Sequence, residues 1–341
     1  MKRMSMVDLA AAAGVSVATV DRVLNGREAV RDDTRVRVAE AAQRIGHPAA
    51  RRLLPQAADL PRCRIGVLLH KQGQDFYKAF AEEIALAVTQ AVGVQAELVL
   101  EFSASQAPSE MAGHLRAMAG RCDVLAATSV NHPEVSAAVE DLRAQGLPVF
   151  SLLSDFAQGA RAGYVGLNNL KVGRTAGWLM ATLSPEPGVM AIFVGGHRWH
   201  GHDLRETGFR GYLRECAPHL TVLDPLVNLE TRQLTYDATL GLVARQPKLR
   251  GIYVAGGGME GAMAAMRETP LVKRVPIIVS ALTPDSRAGL AEGLVAMVID
   301  TPLEKLCRFV VAKMVSLRQE GQVQGTAQFF LPPDLHVAES L

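Results

Sequence analysis

Apolar positions along this chain repeat with two different periods. In the first fifty residues they recur every three or four positions: Val7, Leu9, Ala10 and Ala13, then Val20, Val23 and Leu24, then Val36, Val38, Ala39, Ala42 and Ile45. Such stripes are what amphipathic helices turn toward a shared core, so three short helices are predicted, the third from Asp32 to Ile45. The breaks between them are chemically marked. Ser5 with Asp8 three positions on forms a capping-box-like pair, Gly14 supplies the left-handed residue that ends a helix, and Ser16 caps the next one. Two helices joined this tightly must cross at a steep angle, the shape of a helix-turn-helix.

After Arg64 the period changes. Ile65–Leu69 is a short, wholly apolar run, followed by an Ala-rich helical stretch from Phe76 to Val92. The alternation returns at Ala96–Glu101, Val124–Thr128, Val149–Leu153, Tyr164–Leu167, Val189–Val194, Gly251–Ala255 and Ile277–Ser280. Apolar strands alternating with amphipathic helices predict parallel sheets covered on both faces. At about 280 residues this body exceeds one ordinary domain, which favours two Rossmann-like lobes over a single (β/α) barrel, the rival architecture. The fold class is thus an all-α helix-turn-helix head followed by a two-lobed α/β core.

The run through Asp8-Leu9-Ala10, Ala13-Gly14-Val15-Ser16, Thr19-Val20 and Arg22-Val23-Leu24-Asn25 resembles the N-terminal signature of the lactose-repressor (LacI-type) family of bacterial transcription regulators. The resemblance implies a recognition helix starting at Val17, with Val17, Ala18 and Arg22 meeting base edges in the major groove. There the Arg22 fork suits guanine, and Val17 and Ala18 offer apolar contact. Ser16, Thr19 and Asn25 fall where phosphates are held, which fixes register rather than sequence. Asp21 departs from the family's serine and places an anion beside Arg22, positioned to orient it or to accept from a cytosine amine.

Between head and body, Pro48 to Pro61 reads as a connector. In the family this stretch folds into a hinge helix on operator DNA and wedges a leucine into the minor groove, a role that falls to Leu53 or Leu54. The pattern is damaged here: the asparagine after the proline is missing, the spacing from Gly46 to Pro48 is a residue short, and Pro55 cuts a helix off at once. A hinge helix and a plain basic linker both fit. The expected organisation is a head over 1–47, a linker over 48–63, a first lobe over 64–162 plus 300–324, and a second over 163–299 plus 325–341.

The body resembles a type I periplasmic-binding-protein core of the ribose-binding branch, through Gly166-Leu-Asn168-Asn169, Gly173-Arg-Thr-Ala and Thr283-Pro284-Asp285. That fold places a ligand between the lobes at the carboxyl ends of strands. Carried over by position, the resemblance implies contacts from His70, Asp75, Phe76 and Tyr77 after the first strand, and from Ser154 and Asp155 after the Val149 strand. It adds Arg205 and Gly256 of the second lobe, and Asp300 at the last crossover. Stacked aromatics, carboxylates and a guanidinium fork are what a sugar-like effector requires. Gly256-Gly257-Gly258 and Ala281 stand where relatives carry polar side chains, which points to a bulkier ligand or one read through backbone groups and water. The triple glycine lacks the Lys-Ser/Thr of a phosphate-binding loop, so a phosphorylated sugar is a minor alternative.

Charge adds modest support. Residues 1–54 hold ten Lys or Arg against six acidic residues, net +4, while the whole chain carries +2. A basic head favours a polyanion without identifying one. Cys63, Cys122, Cys216 and Cys307 lack metal spacing and fit reduced thiols, and no export or membrane segment is visible, so a cytoplasmic location is expected. His197-Arg-Trp-His200-Gly-His202-Asp203 invites a metal-site reading, but hydrogen-bonding loop histidines explain it better. No cofactor, no metal and no catalysis are expected. The function implied is a ligand-responsive repressor that binds operator DNA as a homodimer, with a tetramer and corepression left open. The alternative is a sugar-binding protein or metal-dependent enzyme on the same fold without DNA binding.

Overall fold

A computed structural model of the chain describes residues 5–25, 30–45, 47–49, 60–269, 275–321 and 327–341. The linker leucines Leu53 and Leu54 lie outside the described residues. Helices α1 (Met6–Ala13), α2 (Val17–Leu24) and α3 (Asp32–Arg44) belong to one compact unit. The Ser5 N–H donates to the Asp8 carboxylate at 2.8 Å and the Asp8 N–H donates back to Ser5 Oγ at 3.3 Å, closing the capping box. Gly14 ends α1 at φ 64°. Arg37 and Arg44 of α3 donate to the carbonyls of Ala13 and Ala12 at 2.9 and 2.6 Å, satisfying acceptors that the end of α1 leaves open. Leu9, Ala10, Val20, Val23, Val38 and Ala42 pack together as the core. Val7 and Val36, assigned to that core by their spacing, are 63% and 54% exposed, because three short helices cover only a narrow stripe of one another.

The second unit carries two open sheets, which decides against a barrel. The first runs β12 (Gln328–Leu331), β5 (Gly163–Leu167), β4 (Val149–Leu152), β3 (Val124–Ala127), β1 (Arg62–His70), β2 (Gln95–Ser103). The second runs β13 (Asp334–His336), β11 (Val295–Asp300), β10 (Ile277–Val279), β9 (Leu249–Val254), β6 (Gly188–Val194), β7 (Leu220–Val222), with β8 (Leu226–Val227) also pairing to β6. Pairing is parallel along β1-β3-β4-β5-β12 and through β6, β9, β10 and β11, whereas β13 joins β11 antiparallel. Helices α4 (Asp75–Thr89), α5 (Pro108–Ala117), α6 (Pro133–Ala144) and α12 (Leu303–Glu320) accompany the first sheet. Helices α7 (Asn169–Leu183), α8 (His200–Cys216), α9 (Arg232–Arg245), α10 (Met259–Glu268) and α11 (Pro284–Ala291) accompany the second.

The chain passes between the sheets after β5, after β11 and between β12 and β13. Two stretches expected in the second lobe therefore belong to the first. Gly163 pairs with Phe150 and Gln328 with Tyr164, so residues 163–167 and 328–331 extend the first sheet, and Asp300 closes a strand of the second. Apolar patterning marks a strand but not its neighbour, which is why the boundary shifts.

Candidate functional site

The two sheets of the second unit enclose a cleft cavity of about 300 Å³. Residues just beyond strand ends line it from both sides: Thr128 and Ser154 from the first sheet, Gly256, Ser280 and Thr301 from the second. Phe76, Tyr77 and Trp199 form its aromatic walls, and Asp75, Asn169, Arg205, Glu230, Arg232, Glu260 and Asp285 its charged and amide groups. Hydroxyls, carboxylates and flat apolar rings in one enclosed space suit a small polyhydroxylated molecule.

Of the residues implied by position, Asp75, Phe76, Tyr77, Ser154, Arg205 and Gly256 line the cavity. Asp75 opens α4 and pairs with Lys78 at 2.9 Å. Ser154 Oγ accepts from the Gly201 N–H at 3.0 Å, joining the two sides. Arg205 is 8% exposed; its Nε donates to Asn169 Oδ1 at 2.7 Å and its Nη1 to the Ala255 carbonyl at 2.6 Å, leaving one amino group without a described partner. The guanidinium is thus held rigid before any ligand arrives. Gly256 is glycine for a spatial reason: a Cβ there would stand 2.5 Å from His202 Cε1. The room freed by the missing side chains is filled by His202 and Glu230, so the bulkier ligand expected from the triple glycine does not follow.

Three implied residues lie elsewhere. His70 is fully buried one layer behind the cavity, with its ring 5.5 Å from Trp199 and 5.9 Å from Tyr77. Asp155 turns away into the first lobe, where Arg161 grips both its oxygens at 2.5 and 2.7 Å. Asp300 accepts from the Leu282 N–H at 3.1 Å and lies 3.8 Å from His336, so Thr301 beside it supplies the cleft contact.

The group that position did not reveal is Glu230, in the corner between β8 and α9. Leu229 and Glu230 both take left-handed backbone, φ 48° and 54°, a strained pair for residues with side chains. Asn228 holds the corner by accepting from the Glu230 N–H at 2.8 Å. The strained turn aims two carbonyls at the other lobe: Glu230 O accepts from Gln74 at 2.6 Å and Lys71 at 3.3 Å, and Leu229 O from Lys71 and from Gln106 at 3.4 Å. The carboxylate points inward. Its Oε1 accepts from the Gly257 N–H at 3.2 Å and lies 3.7 Å from His202 Nε2, while Oε2 lies 4.0 Å from His70 Nε2. Burial raises its pKa, with Lys71, the Gly257 N–H and Arg205 pulling the other way. His70 Nε2, Trp199 Nε1 and Glu230 Oε2 are all buried without hydrogen-bond partners among the described residues.

Burial, with Lys71 adding to it, lowers the pKa of His70 to about 4, and burial beside Arg205 lowers that of His202 to about 3. Both imidazoles are neutral in the fold and must charge when it opens. A depressed histidine contributes stability above its unfolded pKa that is lost as pH falls through 6.5 toward the folded value. His70 alone should cost about 2 kcal/mol by pH 5. Between pH 7 and 5 the melting temperature of wild type should drop relative to that of His70→Asn.

On the head, Val17 is 40% exposed and Ala18 and Arg22 are exposed on one side of α2. Ser16 Oγ accepts from the Thr19 N–H at 3.1 Å as the helix cap, and Asn25 donates to Asp21 at 2.8 Å. Among the described residues no group of three or more His, Cys, Asp or Glu is disposed to hold a metal, and no helix is long and apolar enough to cross a membrane.

The N-terminal helices and the two-lobed cleft each have counterparts among known proteins. Residues 5–48 match the bacterial regulatory proteins of the lacI family, and residues 65–321 match the periplasmic binding protein domain. The chain belongs to the periplasmic-binding-protein domain family over its second unit and carries a lacI-family match at its N-terminus. The HTH-type transcriptional regulator MalR of Streptomyces coelicolor is 32% identical over 165 residues, covering 47% of this chain and 45% of that protein, so less than half of the relative is spanned. Among solved structures, the glucose-galactose binding protein GanP of Geobacillus stearothermophilus superposes with a TM-score of 0.73 at 17% identity, over 82% of this chain and 99% of that one. An ABC transporter solute-binding protein from Agrobacterium vitis with bound D-fucose gives 0.74 at 14% identity, over 81% and 96%. At such identities the likeness speaks for the fold.

Proposed function

We propose that this protein is a sugar-responsive repressor that binds operator DNA as a homodimer. One observation carries the reading: a lacI-family head stands in tandem with a cleft whose walls combine aromatic faces, hydroxyls and a fixed guanidinium. Val17, Ala18 and Arg22 read base edges, and Ser16, Thr19 and Asn25 meet phosphates. A single head covers only a half-site, so a two-fold operator calls for two copies. In the cleft, Asp75, Phe76, Tyr77, Ser154, Arg205 and Gly256 contact a sugar or related polyol. The ligand alters DNA affinity by as much as its own affinity differs between lobe arrangements. The protein acts in the cytoplasm and performs no catalysis.

A gel-shift assay against DNA flanking its own coding region tests the head. Specific retardation is expected, and Arg22→Ala should weaken it by about 1–3 kcal/mol, or roughly 10- to 100-fold. No retardation at low salt, with or without sugars, favours a binding protein that does not touch DNA. A thermal-shift screen of sugars and polyols tests the cleft: a ligand at about a hundred times its dissociation constant adds roughly 2.7 kcal/mol. Arg205→Ala should abolish that shift.

A further inference from the structure

The hydrogens around Glu230 follow from the partners of its neighbours. His70 Nδ1 lies 2.9 Å from the Ser103 carbonyl, an acceptor only, so Nδ1 carries the proton and the neutral ring presents a lone pair at Nε2. His202 is the reverse case: its Nδ1 accepts from the Gly195 N–H at 3.1 Å, so its proton sits on Nε2, toward Glu230 Oε1. Glu230 Oε1 therefore faces two donors, Gly257 N–H and His202 Nε2–H. Oε2 faces an acceptor, the His70 lone pair at 4.0 Å, and both of those atoms are buried and unpartnered. A carboxylate, which can only accept, leaves that side repulsive. A carboxylic acid matches both sides.

We propose that Glu230 holds a proton at neutral pH when the lobes are together, with Oε1 accepting from Gly257 and His202 and the Oε2–H directed at His70 Nε2. Glu230 and His202 belong to the second lobe and His70 to the first. Separating the lobes removes the acceptor, admits water and returns the acid to its ordinary ionised state, so closing the cleft takes up one proton. Lys71 from the end of β1 and Arg205 from α8 favour ionisation. The Tyr77 hydroxyl of α4 and the Trp199 ring are uncharged, and burial outweighs the two cations. The proton does not depend on what fills the cleft. Its effect on effector affinity rests on the sensor reading above, and is a weakening as the solution turns alkaline.

An acid whose folded pKa is raised keeps a proton that the unfolded chain has lost, so stability falls as pH rises from about 4.5 to the folded value. Between pH 6.5 and 9 the folded imidazoles are neutral, and what remains of histidine titration in the unfolded chain is common to wild type and Glu230→Gln. Melting temperatures of the full-length protein, without ligand, should fall with pH faster in wild type than in Glu230→Gln, by about 2–4 °C per pH unit until Glu230 ionises. Parallel curves across that range overturn the proposal. Should Glu230→Gln not fold, glutamate Cδ ¹³C shifts serve instead, which leave out Asp203 and Asp300, two aspartates whose pKa burial also raises. They are read in Glu260→Gln, which removes the other glutamate among the described residues whose pKa burial raises. One carboxyl still titrating at neutral pH supports the proton on Glu230; all titrating below about 5 removes it. If no sugar binds, the sensor reading falls while this melting test stands.

Discussion

Asp155→Ala should destabilise the protein by about 3–5 kcal/mol, lowering its melting temperature by roughly 10 °C. Asp155 is 4% exposed and its partner Arg161 is 3% exposed. Burial works against the carboxylate's charge, yet hydrogen bonds from Arg161 and Ser151 together with the Arg161 charge hold its pKa below the ordinary range. Ser151 donates at 2.7 Å, Gln158 at 3.2 Å and Gln328 at 3.0 Å, the last from β12, so one carboxylate ties the β4–β5 loop to the returning chain. Removing it leaves a buried guanidinium with the Ala327 carbonyl at 3.3 Å as its remaining described acceptor. An uncompensated buried charge costs more than the intact pair contributes, so the double replacement Asp155→Leu with Arg161→Met should recover much of the loss. Denaturant unfolding of wild type and the two variants measures this. A cleft ligand should bind the folded fraction of Asp155→Ala normally. A loss below about 1 kcal/mol with ligand binding abolished would restore Asp155 to the site instead.

The contrast between Ser154 and Asp155 shows where sequence reading stops. Strand ends were legible, since apolar runs bounded by breakers are local, while Phe76, Tyr77, Ser154 and Arg205 were implied by the family resemblance, carried over by position. Which of two adjacent polar residues faces a cleft depends on a single backbone torsion. Leu153 takes φ 63°, and the chain then sends Ser154 to the cavity and Asp155 into the first lobe. Glu230 was hidden for a related reason. It follows a strand of two residues, sits in a strained corner without periodicity, and acts through partners more than a hundred positions distant, such as Gln74. On the head, capping chemistry is local, so Ser5, Asp8, Gly14 and Ser16 take the positions their residue types imply. The linker departs from its family pattern, and Leu53 and Leu54 lie outside the described residues.

Gly173→Ala should cost about 3 kcal/mol or more and weaken cleft binding at least tenfold, because two helices touch there backbone to backbone. A Cβ at Gly173 of α7 would lie 1.9 Å from the Arg205 carbonyl oxygen of α8, and one at Gly208 of α8 would lie 2.1 Å from the Leu170 carbonyl of α7. These obstacles are main chain and cannot rotate aside, so the helices must part by an ångström or more. Parting them loosens the core in which Val172, Ala176, Met180, Phe209 and Leu213 interlock. It also displaces the residue that carries Arg205, whose side-chain bonds to Asn169 and Ala255 depend on that close crossing. Stability and ligand affinity are therefore expected to fall together, a pairing that separates this variant from Asp155→Ala. Gly113→Ala provides the control: it lies within α5, a Cβ there meets nothing within 4 Å, and alanine should stabilise by about 1 kcal/mol through helix propensity alone. Equal melting temperatures for Gly173→Ala and wild type would show that the crossing has slack, and that Arg205 is held by its side-chain bonds without help from the helices beneath it.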